Sequence, residues 1–532
     1  MKKLVAMALC ICMTALCVSA FAASDEVAFA PMDEQVTMTV GRQSMNSLEL
    51  PDGDDMEHNK YLDYIQEKTG VKIEYEWLVD SSTYNQKVNL AVASGDIPDV
   101  MIVTSKAQLQ QLVENDLVAD LSGLAETYLS DYVMDIYNSY GDKAWESATF
   151  DGKVMALPNL EAGYSFSYLW VRKDWIDAVG AEVPTTLDEV VALAKLFMEK
   201  DPGNNGEGNT IGIAVNTKVA GVYNNLGNID PIFATFGSVP RQWLRGEDGT
   251  ISYGSVAPET KEALAYLAGL YADGVIDKEF AVRTSDDFNA LLLSGKCGIF
   301  FGPWWMPDWP LNSSKANNPD SDWIPVLAPL SADGNLYAYK QDISTTWLVV
   351  NKNYEHPEAV YKVMNWFYYG MRGFDPAVSE FYPDSSVTWD IWPLPILLNY
   401  DDECVTNSKA ISAALETRDT SGLSAENLSF YNQCLLWLDD GDTTGWQTYT
   451  GRVIAPAVAG SENVKFFDNV YPAQTDTMDM KWAQLEKIED EAILKIIMGE
   501  MSVDAFDTFV SNWYAQGGQE ITDEVNAQFA GK

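Results

Sequence analysis

The chain has 532 residues, with 78 acidic side chains against 34 basic ones and only two histidines. At about 100–200 residues per domain, this length predicts several domains with ample core. With 47 % apolar and 12 % aromatic residues, the chain is not a disordered acidic polymer. A net charge of −44 argues against nucleic acid or anionic membranes as partners, and His58 and His356 alone do not furnish a centre built on several imidazoles.

Residues 1–22 have the pattern of an export signal: Lys2 and Lys3, an apolar stretch over 4–18, and Ala20-Phe21-Ala22 as a small-x-small cleavage site. The apolar stretch is too short to cross a bilayer as a stable helix. Leu9, Ile11 and Leu16 precede Cys10, Cys12 and Cys17, where a lipoprotein signal carries a small residue, so the sequence does not support a lipid anchor, and a secreted, extracytoplasmic protein, freely released or otherwise retained, is expected. Residues 23–35 read as a flexible leader.

From there strands and helices alternate. Val36, Met38 and Val40 alternate in a strand; Leu62 and Ile65 share a helix face that Gly70 ends; Val71, Ile73, Tyr75 and Trp77 mark a second strand. A helix over about 84–93 and a strand over 100–103 follow. Strands separated by single helices predict parallel βαβ units, with ligands at the carboxyl ends of the strands. After 151–158, Thr186 and Glu189 form a capping box ahead of Leu187, Val190, Val191, Ala194 and Phe197. A helix over about 259–272 ends at Gly274, and an apolar strand covers 297–301. Trp482, Leu485, Ile488, Ala492, Ile493 and Ile496 pattern a long amphipathic helix, with a shorter one near 505–514. The fold class is α/β with at least two lobes. Cys297 reads as a buried thiol; Cys404 and Cys434 are either paired or free.

Phe300-Phe301-Gly302-Pro303-Trp304-Trp305-Met306-Pro307-Asp308-Trp309-Pro310 leaves a strand through Gly-Pro and carries three Trp. A single Trp is most often core, but a cluster on a strand-ending loop suits sugar recognition, because indole faces meet sugar C–H faces while the N–H reaches hydroxyls. Asp96 and Asp99 flank Ile97-Pro98; the turn role is preferred for Asp96, and for Asp99 turn and ligand roles balance. The loop 201–210 spaces Asp201, Asn205, Glu207 and Asn209 around Gly206. It reads either as a polar turn or as a calcium site, with Gly203 and Thr210 where acidic or amide ligands usually stand. No phosphate loop, dinucleotide fingerprint, Cys-x-x-Cys, H-E-x-x-H or G-x-S-x-G occurs.

Together these residues resemble a known group. Glu67-Lys68-Thr69-Gly70-Val71, Ala93-Ser94-Gly95-Asp96-Ile97-Pro98-Asp99, Asp151-Gly152-Lys153 through Leu157-Pro158, Leu169 through Trp175, the Trp block, and Gly517-Gly518-Gln519-Glu520-Ile521-Thr522 follow in the order seen in bacterial ABC-importer extracellular solute-binding proteins of family 1. Within that family the chain is most similar to the large LplA/LipO-like sugar and aldouronate binders. The resemblance implies a periplasmic-binding-protein-like fold of type II with hinged lobes around a ligand cleft, the first lobe taking 36–158 and 342–385, the second 159–341 and 386–532. It implies a stacking role for Trp304 and, with it, Trp305 and Trp309. Trp170, Tyr164, Trp243, Asp99 and Arg172 are further ligand-binding candidates, and Asp201, Asn205, Glu207 and Asn209 match the calcium loop of alginate-binding relatives. Lys173, Arg241 and Arg245 are the other cations placed to meet a uronate, with solvated surface roles as the alternative. The expected function is non-catalytic: a monomeric receptor captures an oligosaccharide, with neutral sugars favoured, and passes it to ABC permease subunits, with no cofactor required and a structural calcium ion as the one candidate. A secreted carbohydrate hydrolase and a binder of peptides or other nutrients are the alternatives.

Overall fold

The computed structural model describes residues 25–44, 50, 53–162, 166–221, 226–339, 342–378, 381, 391–394, 396–471 and 475–529. The signal therefore lies outside the described residues. The chain divides into two compact units. One comprises Met1–Glu161, Ile343–Asp401 and Ser424–Glu426; the other comprises Ala162–Asp342, Asp402–Leu423 and Asn427–Lys532. Among the described residues no helix is long and apolar enough to cross a membrane.

In the first unit, β1 (Val36–Ser44) lies parallel to both β2 (Val71–Asp80) and β3 (Val100–Val103). Val36, Met38 and Val40 bury their side chains, as the alternation predicts. The register with β2 slips between Val40 and Gly41, where the Trp77 ring crosses the strand. A Cβ on Gly41 would sit 2.3 Å from that ring, so only glycine fits. Between β1 and β2 runs α1 (Lys60–Thr69): the Asn59 side chain accepts from the N–H groups of Tyr61 and Leu62, and Gly70 closes the helix at φ 73°. Helix α2 (Ser81–Ser94) then leads to β3. The sheet is completed by Trp347–Val350, antiparallel to β3, and by Leu157–Pro158.

Two expectations are corrected in this unit. The leader is not loose: Lys362 Nζ donates to the carbonyls of Val27 and Ala30, Asn365 Nδ2 to that of Ala28, and Trp366 Nε1 to that of Phe29. Ala28 is fully buried as a result. The segment after residue 386, grouped with the second lobe from sequence, places Ile391, Trp392, Leu394, Ile396 and Leu398 in the first unit's core, because a continuous apolar surface from helix Glu358–Met371 receives them.

In the second unit, β4 (Tyr168–Arg172) is the centre of a three-stranded sheet, antiparallel to both β5 (Ile299–Gly302) and β6 (Trp323–Val326). The expected parallel pattern thus holds for β1–β3 but not here, where long excursions return the chain in the opposite sense. Parallel bridges do occur beside this sheet, from Ile211 to Cys297 and from Ala214 to Phe300. Helix α3 (Leu187–Lys200) carries the predicted Thr186–Glu189 capping box, and α4 (Pro258–Ala272) starts on a proline. The helices Asp476–Ile497 and Ala505–Trp513 bury Leu485, Ala492, Ile493, Ile496, Phe506, Phe509 and Trp513 in the same core. Burial pushes the Cys297 thiol up to about 12 and does the same to Cys434, which is a thiol and not half of a disulfide.

Candidate functional site

The chain leaves β5 through Gly302, whose missing side chain lets Met306 Sδ and Phe300 close on it; a Cβ there would meet both at 3.0 Å. Met306, fully buried, anchors a compact turn in which Asp308 N–H donates to Trp305 O and Leu311 N–H to Met306 O. Trp304 and Trp305 are half-buried against an apolar cluster that includes Phe166, Tyr168 and Ala338, and Trp309 is 49 % exposed. The Asp308 carboxylate faces Arg452 Nη2 at 2.8 Å.

The structure brings these three Trp together and assigns different work to the other candidates. Trp170 is wholly buried, and its Nε1–H donates to the carbonyls of Gly302 and Pro303, both at 3.2 Å. It supports the loop from beneath and has no face to offer a ligand. Trp243 is buried between Tyr253 and Trp482. Arg172 is 4 % exposed and held by Asp174 through two hydrogen bonds, with its guanidinium over the rings of Trp175 and Trp323. All three are corrected from ligand-binding to structural positions, because β-strand and hairpin geometry points them into the core. Lys173 pairs with Asp177, Arg241 with Glu486, Glu489 and Asp490, and Arg245 lies over the Phe529 ring. Asp99, in the first unit, accepts from both the N–H and the hydroxyl of Thr39, which ties β1 to the loop ahead of β3. Tyr164 lies outside the described residues.

The second unit also holds a small recess that the sequence did not point to. Phe166, Pro231, Tyr337 and Phe467 give it apolar walls, with Ser167, Asp230 and Ser238 as its polar groups. Tyr337 and Phe467 pack ring on ring at 5.4 Å, and the Tyr337 hydroxyl donates to Asp333. Phe166 and Ala338 belong both to this recess and to the cluster beneath the Trp loop. The one signal in the sequence was the alternation Leu336-Tyr337-Ala338-Tyr339, a strand that pairs in parallel with Val464–Phe467. Both histidines of the chain, His58 and His356, lie in the first unit.

The chain matches the model for bacterial extracellular solute-binding proteins over residues 56–368. The chain belongs to this family. Lipoprotein LipO of Bacillus subtilis is 24 % identical over 471 residues, covering 87 % of this chain and 88 % of its own. Among solved structures, the alginate-binding protein AlgQ2 without calcium ion superposes with a TM-score of 0.65 at 15 % identity, covering 93 % of this chain and 98 % of its own. The Streptococcus pneumoniae ABC-transporter substrate-binding protein FusA in complex with kestose gives a TM-score of 0.62 at 18 % identity, covering 92 % of this chain and all of its own. These two likenesses establish the shared α/β fold. Members of the family are binding proteins and not enzymes.

In this solute-binding protein the loop 201–210 does not fit a calcium ion. Asp201 Oδ1 accepts from Asn205 N–H at 2.9 Å and from the Thr210 hydroxyl at 2.6 Å, and Oδ2 accepts from Gly206 N–H at 2.8 Å. Asn205 and Asn209 turn their amide NH2 groups, not their oxygens, into the loop, toward Thr210, Gly295 O and Asn205 O. Position 203 has no room for an oxygen-bearing side chain: a Cβ there would lie 2.6 Å from the Trp175 ring. Asp201 is held below the usual carboxylate range, first by the Thr210 hydroxyl, so its charge is already balanced by donors of the protein. Among the described residues no cluster of three His, Cys, Asp or Glu side chains is placed to hold a metal.

Proposed function

We propose that this protein is the capturing subunit of an ABC import system, binding a neutral oligosaccharide by aromatic stacking and delivering it to a membrane permease. A cluster of three indoles on one strand-ending turn carries this reading: Trp309 is exposed and Trp304 and Trp305 are half-buried, on a turn held by buried Met306 and by the N–H of Trp170. Stacked rings with adjacent hydroxyl-binding groups support affinities of about micromolar, roughly −8 kcal/mol. The cation against the loop favours an uncharged sugar, since Arg452 is already paired with Asp308. The names of two structural relatives point to carbohydrate: AlgQ2 is an alginate-binding protein, and FusA is seen with kestose. Export through residues 1–22 without a lipid anchor completes the proposal.

The test is a thermal-shift panel of kestose, maltotriose, xylotriose and trigalacturonate, followed by calorimetry on the best binder. Trp304→Ala is expected to weaken that binding at least about tenfold. No shift with any sugar, or unchanged affinity in the variant, overturns the reading.

A further inference from the structure

We infer that Arg452 is a positioning residue that fixes the indole of Trp304 by lying over its ring, an inference that rests on the sugar-binding reading of the Trp loop. Arg452 sits on a π-helical turn, Tyr449–Ile454, directly ahead of helix Ala455–Ala459. Pro456 lacks an N–H and its ring crowds the carbonyl four residues back, which is that of Arg452, so the widened turn is where the chain accommodates the proline. The turn aims Arg452 at the loop after β5. Its guanidinium carbon lies 4.7 Å from the Trp304 ring centre and 5.1 Å from that of Phe430, and Nη2 reaches Asp308 Oδ2 at 2.8 Å. Gly451 next to it faces Pro307. One turn of helix thus touches the loop at Trp304, Pro307 and Asp308.

The chemistry of the contact identifies its purpose. Nη1 of Arg452 is buried and has no hydrogen-bond partner, an arrangement that costs stability relative to an apolar residue at the same place. What arginine adds over such a residue is orientation: a planar cation that sits over an indole while its Nη2 pairs with a carboxylate of the same loop. Both interactions act on the loop that presents the rings, and together they set the tilt of Trp304 before any ligand arrives. The cation covers part of the indole, so a sugar meets the part of the ring that Arg452 and the apolar cluster leave open.

The experiment uses the full chain with Arg452→Met, Arg452→Lys, Asp308→Asn and Trp304→Ala, titrated with whichever sugar of the panel binds best. Arg452→Met is expected to weaken binding by about tenfold, and Asp308→Asn by about threefold, with Arg452→Lys failing to restore the wild-type value because ammonium lacks the planar fork. The near-ultraviolet circular dichroism of the free protein is expected to change in Arg452→Met and not in a variant that merely lowers melting temperature, since it reports how an indole is held. In the Trp304→Ala background, Arg452→Met is expected to add no further loss. Full affinity in Arg452→Met together with a loss in Trp304→Ala overturns this inference alone. Full affinity in both overturns the sugar-binding reading beneath it as well. Should Arg452→Met fail to fold, Asp308→Asn decides, and unchanged affinity there overturns the inference.

Discussion

Glu489 is fully enclosed in the second unit, accepting from the Ser255 and Tyr253 hydroxyls at 2.8 and 3.1 Å, with Arg241 Nε 3.4 Å away. Burial outweighs the guanidinium, and the carboxyl is pushed up to about 7. An unfolded glutamate titrates near about 4.3. Between those two values the folded chain holds the proton and the unfolded chain does not, so this group's contribution to stability is complete below the lower value, falls as pH rises through the window, and is constant above about 7. Glu489→Gln keeps an acceptor for Ser255 and leaves Arg241 paired with Asp490 and Glu486. The melting temperature of the variant is therefore expected to depend less on pH between 5 and 7.5 than that of the wild type; calorimetry in matched buffers checks this, and equal slopes contradict it. Single residues of this kind are the least legible in the sequence. Glu489 is one acid among 78; its place in line with Leu485, Ala492 and Ile496 puts it on the apolar face of its helix, but the partners that enclose it come from residues 241–255, far away in the chain. Trp170 and Trp304 look alike as letters, yet one braces the loop and the other lies on it, because β4 is covered on both sides and the residues after Gly302 are not.

Local structure was far more open to reading, wherever it is dictated by neighbours in the chain. The Thr186 capping box, the Gly70 stop and the alternation of β1 and β2 all stand as the residue order implies, since each needs only contacts a few positions apart. Residues 25–30 show the opposite: no periodicity in so short a stretch signals a fixed segment, yet side chains of Lys362, Asn365 and Trp366 hold them in place. The loop 201–210 lies between these cases. Its spacing suits calcium, but the Thr210 hydroxyl and the two asparagine amides satisfy Asp201 and close the turn without an ion. An ion that bound here at 100 times its dissociation constant would stabilise the fold by about 2.7 kcal/mol. The melting temperature is expected to be the same in EGTA as in calcium chloride, whereas Thr210→Val, which removes the donor to Asp201, costs about 1–2 kcal/mol. A rise in melting temperature on adding calcium contradicts the account.

At the level of the whole chain, the two units are not successive pieces of sequence, and that governs how they fold. The first unit needs Ile343–Asp401 as well as the residues before Glu161. Trp347–Val350 lies inside its sheet, bonded to β3 on one side and to Leu157–Pro158 on the other. The helix that follows, Glu358–Met371, supplies ten buried residues and holds residues 25–30 through Lys362 and Asn365. No change in composition marks residue 343, so this return of the chain is legible from the family pattern and not from periodicity. A chain ending at residue 342 would leave β3 with an open hydrogen-bonding edge, Leu157–Pro158 without a neighbour, and the apolar face of the sheet uncovered. Such open edges and faces pair with other chains. The truncated protein is thus expected to show no slow-exchanging amides in β1–β3 and to associate, by hydrogen exchange and light scattering, while the full chain protects those strands. Protected β1–β3 amides in the truncated chain would mean that the sheet forms without its inserted strand, contrary to the topology.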